Sequence, residues 1–249
     1  MIRELNILRS HGHQYVPDLK KAELTPLFRG RPVISTTVTV DEKEMLCKIC
    51  PSGAISVDDF GIDLGKCVFC KECSFACPGK IHFTNDYKIG SNDRKELIIR
   101  LGDESIGFDD SLVRKDLRKF FRNSLKLRQI SAGGDNSCEM ELNASGNVNF
   151  DMGRFGIEFV ASPRHADGIV ITGPVTENMA EALQICYDAT PDPKIIILVG
   201  TDAISGGIFA DSRAIQREFL EKYPVDLYVP GNPAHPLTFI NGLLRLLGK

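Results

Sequence analysis

The sequence predicts an α/β protein in two parts, a small cysteine-bearing α+β unit followed by a parallel sheet flanked by helices. Three observations predict it. Six of the eight cysteines fall between Cys47 and Cys77. From Gly156 onward, apolar runs alternate with helix-patterned segments. One of these runs, Lys194-Ile-Ile-Ile-Leu-Val-Gly200, is continuously apolar, as strands buried on both faces of a parallel sheet are. With 249 residues, 43% of them hydrophobic, the chain is long enough to divide into two domains with ordinary cores. A soluble globular protein is expected at a net charge of −3, with no nucleic-acid partner. No apolar run reaches the roughly eighteen residues of a membrane span, and Met1-Ile-Arg-Glu-Leu lacks the apolar core of a secretory signal. The crowded cysteines are a cofactor pattern and not a disulfide framework, so a reducing, cytoplasmic setting is expected.

The first part, residues 1–92, is organised by Cys67-Val-Phe-Cys70-Lys-Glu-Cys73-Ser-Phe-Ala-Cys77-Pro78. This is the C-x2-C-x2-C-x3-C-P spacing of a bacterial-type ferredoxin site, which holds an iron–sulfur cluster. Two-residue gaps let three thiolates wrap one face of a cubane, and Pro78 turns the chain away from the sulfurs. In the two-cluster version each half lends its last cysteine to the other cluster. Here the other half survives only as Cys47-Lys-Ile-Cys50-Pro51, with Leu46, Lys43 and Val40 where its three ligands would stand. One [4Fe–4S] cluster on Cys50, Cys67, Cys70 and Cys73 is expected. Cys77 is the alternative fourth ligand, and structural zinc is the alternative occupant of a four-thiolate site. Short strands are expected after each Cys-Pro turn, at Ile55–Val57 and Ile81–Phe83.

Residues 93–128 read as a connector. Its second half, Ser111 to Asn123, places Val113, Leu117, Phe120 and Phe121 on one side at helical spacing, with Arg114, Lys115, Arg118 and Arg122 mostly elsewhere. A basic amphipathic helix is expected, packed by its apolar face or set against an acidic partner or anionic lipid.

In residues 129–249 the pattern gives strands at 156–162, 168–172, 194–200 and 225–229, and helices at 177–188, 212–223 and 236–247. Functional loops of such a sheet lie at the carboxyl ends of its strands, here 173–176, 200–207 and 230–236. Gly200-Thr-Asp-Ala-Ile-Ser-Gly-Gly207 lacks the order of a phosphate-binding loop and reads as a tight turn. Cys186 reads as a small buried apolar residue. No Ser/His/Asp or Cys/His catalytic set presents itself.

At these loops the chain acquires a family likeness. Ala132-Gly-Gly-Asp-Asn-Ser-Cys-Glu-Met-Glu141, Ser162-Pro-Arg-His-Ala-Asp167, Thr172-Gly-Pro-Val-Thr176, Ser205-Gly-Gly-Ile-Phe209 and Val229-Pro-Gly-Asn-Pro233 resemble the small subunit of energy-converting, membrane-bound [NiFe] hydrogenases and, more distantly, the 20 kDa subunit of complex I. Residues 28–90, with Phe28-Arg-Gly-Arg-Pro32 ahead of the cysteines, resemble the ferredoxin-type subunit of the same complexes, so the chain resembles two neighbouring subunits fused. The resemblance implies a flavodoxin-like sheet after a ferredoxin-like α+β unit. It also implies a catalytic-type large subunit and membrane subunits as partners, with a soluble electron donor, on the cytoplasmic side of the membrane.

In those relatives the second domain carries a proximal cluster on four cysteines. The corresponding positions here are Asp135, Cys138, Asp202 and Asn232, a single thiolate with two carboxylates and an amide. That is a poor soft-metal set. No cluster is expected there, and the pocket is left as a hydrogen-bonded vestige, a hard-cation site, or a seat for a small polar ligand or partner side chain. Arg164 and His165 match a segment that in relatives lies near the large subunit. The expectation is a non-catalytic electron-transfer subunit, with a structural adaptor as the second reading and a redox-sensing regulator as the third.

Overall fold

A computed structural model describes residues 2–12 and 15–249. Ahead of the cysteines come α1 (Ile2–His11) and β1 (Pro32–Ile34). The cysteine unit then runs α2 (Val40–Ile49), β2 (Ile55–Ser56), β3 (Gly61–Asp63), α3 (Glu72–Ala76), β4 (Ile81–Phe83) and β5 (Ile98–Ile99). β1 pairs with β4 and β3 lies between β2 and β5, all antiparallel. α2 starts where it does because Thr39 and Glu42 form a reciprocal capping box. Glu42 also takes two hydrogen bonds from Lys80 Nζ, at 2.8 and 2.7 Å, which fixes α2 to the turn before β4.

The second part is the α/β fold expected. After α4 (Lys115–Phe121) come β6 (Leu125–Ser131), α5 (Ser137–Ser145), β7 (Ile157–Phe159), β8 (Gly168–Thr172), α6 (Glu177–Ala189), β9 (Ile195–Val199), α7 (Thr201–Ser205), α8 (Glu218–Lys222), β10 (Leu227–Val229) and α9 (Pro236–Leu246). The five strands β6 to β10 are all parallel and stand in the order β10-β9-β8-β6-β7. Counted from β6 this is the flavodoxin order 2-1-3-4-5, with the switch point between β6 and β8.

Every residue of β8 and β9 is buried, and their side chains alternate between two cores. Ile169, Ile171, Ile196 and Leu198 face a core that also contains Leu46, Ile62, Leu97 and three of the cysteines. Val170, Ile195, Ile197 and Val199 face a second core with α4, α5 and α9. The cysteine unit and one face of the sheet therefore share one continuous interior. α9 is buried on nearly every side, as a helix apolar all round must be.

Several expected elements change. Residues 98–99 add a strand to the cysteine unit, and β6, the strand beside the switch point, begins at Leu125, inside the stretch read as connector. The basic helix begins at Lys115, after a 3₁₀ turn at Asp110–Leu112. It buries Leu117 and Phe121 but leaves Phe120 56% exposed. The helix expected over 212–223 shrinks to α8, because residues 214–216 pair instead with the loop after β8: Glu177 N–H donates to Ala214 O and Gln216 N–H to Val175 O. At the other side of the sheet, Ser91 exchanges two backbone hydrogen bonds with Tyr228, at 3.0 and 2.8 Å, and covers the outer edge of β10.

Candidate metal centre

Cys50, Cys67, Cys70 and Cys73 line one pocket of ≈ 320 Å³, together with Ala54, Ile62 and Phe83. The loop between the cysteines bends through two left-handed residues, Phe69 (φ 54°) and Lys71 (φ 72°). A bulky side chain at positive φ is strained by about 1–3 kcal/mol. The surroundings hold it: Arg29 Nη1 donates to Phe69 O at 2.8 Å, and Phe69 N–H donates to Cys67 Sγ at 3.3 Å. Ala54 N–H donates to Cys50 Sγ at 3.2 Å. Two backbone amides thus already point at sulfur. Burial, followed by the neighbouring cysteines, pushes the Cys73 thiol up to about 11. Burial also pushes the Cys67 thiol up to about 12, partly offset by the Phe69 amide.

Cys77 is buried but does not line this pocket. Burial raises its thiol pKa, with Glu42 adding to the rise. Of the three positions where the spacing would set a second half's ligands, Leu46 is fully buried, the Lys43 ammonium stands 5.4 Å from the Phe60 ring centroid, and Val40 is exposed. Cys47 Sγ donates to Ile55 O at 3.1 Å. Among the described residues, no group of three or more His, Cys, Asp or Glu side chains is placed to hold a single metal ion. The four thiols share the lining of one pocket.

Asp135, Cys138, Asp202 and Asn232 lie beyond the carboxyl ends of β6, β9 and β10. Asp135 Oδ1 accepts from Ser137 Oγ and N at 2.6 and 2.9 Å, which lowers its pKa. Cys138, in the first turn of α5, sets its sulfur against the β9–α7 turn, where a Cβ on Gly200 would stand 2.5 Å from it. Burial pushes this thiol up to about 12. Asp202 is raised by burial, then by the charges of Asp135 and Glu139, and its buried Oδ1 has no hydrogen-bond partner. These three positions come together; Asn232 is exposed and borders a different cavity.

Sequence reasoning missed Glu139, a buried carboxylate that accepts from Ser131 Oγ (2.6 Å) and Thr172 Oγ1 (2.7 Å), the last residues of β6 and β8. Its place beside Cys138, at the start of a helix after a strand, was the available signal. Thr201 was also missed. Its Oγ1 donates to Cys67 O at 2.8 Å and lies 3.2 Å from Gly231 O, tying the cysteine loop to both turns of the altered site. Arg164 and His165 are exposed on the turn after β7, and Cys186 is half-buried in α6.

The parallel sheet in flavodoxin order, with the cysteine loop tied to the turn after β9 through Thr201, defines a flavodoxin-like α/β protein. Residues 136–246 match the family described as NADH ubiquinone oxidoreductase, 20 Kd subunit. The chain is 37% identical over 133 residues to "Probable membrane-bound hydrogenase subunit mbhJ" of Pyrococcus furiosus, covering 53% of this chain and 80% of that one. It is 47% identical over 113 residues to an NADH-quinone oxidoreductase subunit of Heliobacterium modesticaldum, covering 45% of this chain and 65% of the relative. It is 38% identical over 146 residues to "Formate hydrogenlyase subunit 7" of Escherichia coli, covering 59% of this chain and 56% of the relative. The chain belongs to the NADH ubiquinone oxidoreductase 20 Kd subunit family. The family match begins at residue 136, so the cysteine unit lies outside it.

Proposed function

We propose that this chain is the iron–sulfur electron-relay subunit of a membrane-associated oxidoreductase related to complex I and to membrane-bound hydrogenases. One [4Fe–4S] cluster is held by Cys50, Cys67, Cys70 and Cys73, and none by Asp135, Cys138, Asp202 and Asn232. The observation that carries this reading is the convergence of four thiols, distant in part along the chain, on one pocket. The donor set fits the group: four sulfurs against a single wall carboxylate, Glu72, and two backbone N–H groups aimed at sulfur. A bound cluster supplies one-electron storage at a potential set by such hydrogen bonds and by burial. The protein's part is to present the thiolates, shield them with Ala54, Ile62 and Phe83, and seat the loop on the sheet through Thr201. The altered site supplies one buried thiol among three carboxylates, so the second half transmits no electrons through a cluster of its own. The names of the relatives, subunits of a membrane-bound hydrogenase and of an NADH-quinone oxidoreductase, support other subunits of a membrane complex as partners; a large subunit, a peripheral place on the cytoplasmic face and a soluble donor complete the proposal.

Iron and sulfide analysis of anaerobically purified protein, with EPR of the reduced sample, tests this. About four irons and one S = 1/2 signal are expected. Cys50→Ser and Cys70→Ser remove the signal, and Cys77→Ser keeps it. About eight irons with two interacting signals would overturn the single-cluster reading.

The shared interior favours a second role, that of an adaptor in which the cluster stabilises the fold. A cluster that resists reduction by every physiological donor would decide for it.

A further inference from the structure

Between Val68–Phe69 of the cysteine loop and the turn after β10 lies a cavity of ≈ 670 Å³. Among the described residues Arg29 is its cation and no carboxylate lines it; Asn232 adds an amide, and α9 brings His235 and Thr238 to it from its N-terminal end. Thr238 is 1% exposed, and its Oγ1 has no hydrogen-bond partner among the described residues. A buried hydroxyl left in that state costs about 1–3 kcal/mol, a cost that an acceptor in the cavity would remove. His235 Nδ1 accepts from Leu237 N–H at 3.1 Å, which puts the ring proton on Nε2 and makes that edge a donor. The ring is braced by edge contacts with Phe28 and Phe150, at centroid distances of 5.2 and 5.7 Å. Burial keeps it neutral, its pKa pushed down to about 4. Arg29 is anchored by Nη1 on Phe69 O, and its remaining N–H groups have no partner among the described residues. The rest of the wall is largely apolar, with Phe28, Ile89 and Pro230.

We infer that this cavity binds a small organic carboxylate, its oxygens taking hydrogens from Arg29, His235 and Thr238 and its apolar body lying against Phe28 and Ile89. One fixed positive charge, no carboxylate among the described lining residues and neutral donors beside it, the Asn232 amide included, favour a monoanion. The apolar wall separates an organic acid from an inorganic oxyanion, which would leave that wall against water. The cavity is lined by Val68 and Phe69 of the loop that carries Cys67 and Cys70, so an occupant lies against that loop.

Isothermal titration of the intact protein, anaerobic and at fixed ionic strength, with sodium acetate, sodium butyrate and sodium phosphate tests the assignment. Saturable binding of butyrate is expected, tighter than acetate, and weakened at least about tenfold by Arg29→Gln and by Thr238→Val. Thr238→Val nearly preserves shape and keeps the test intact if the arginine substitution disturbs the loop. Absence of saturable carboxylate binding, binding of phosphate alone, or butyrate affinity unchanged in both variants would overturn the inference.

Discussion

His235 is the buried group whose titration bears most directly on stability. Burial lowers its pKa from 6.5 to about 4, so the folded chain keeps the imidazole neutral in a range where the unfolded chain protonates it. The stabilisation is fully present above pH 6.5 and is lost as pH falls from 6.5 through 4. After allowing for partial exposure it amounts to about 1–2 kcal/mol. Equilibrium urea unfolding across that window checks it: His235→Asn, whose amide oxygen can take over the Leu237 N–H, is expected to flatten the acid limb. The cysteines that line the common pocket are legible in the sequence because their spacing is itself the signal. Thr201 and Glu139 are not legible. Thr201 acts on Cys67, 134 residues away, and Glu139 matters through hydroxyls at the ends of two different strands. Only the fold brings such partners together.

At the scale of elements, α2 shows how a short helix is held in place. Leu46 enters the core with no exposed surface, and the Thr39–Glu42 capping box with the Lys80 ion pair holds the helix over it. Leu46→Ala is expected to cost about 2–5 kcal/mol, the range for a core leucine whose cavity cannot collapse. The shift of the denaturant midpoint at unchanged m-value measures it. The ion pair lies near the surface, where solvent screens it, and contributes less than the leucine does. β6 shows why an element can be misread. Leu125-Lys-Leu-Arg-Gln-Ile-Ser131 alternates apolar and polar side chains because its polar residues are only partly covered, and the basic residues on that side continue the pattern of the helix before it. β8 and β9, buried on both faces, are legible to within a residue.

At the scale of the whole molecule, the two parts that the sequence suggests are one interior. Ile169, Ile171, Ile196 and Leu198 of the sheet pack in the same core as Ile62, Leu97 and Cys67. Calorimetry of the intact chain is therefore expected to show one cooperative transition, and cluster loss to lower it as a whole. Two separated transitions, with the 129–249 part surviving removal of iron unchanged, would contradict it. A further consequence follows from Ser91, which caps the outer edge of β10 with two backbone hydrogen bonds. An uncapped edge strand is a template on which other chains add, the first step toward aggregation. The edge-capping residue sits on the same stretch of chain as the cysteine unit, so a chain that has not yet closed that unit offers a sticky edge. Closing the stretch that carries the cysteine unit therefore also covers that edge.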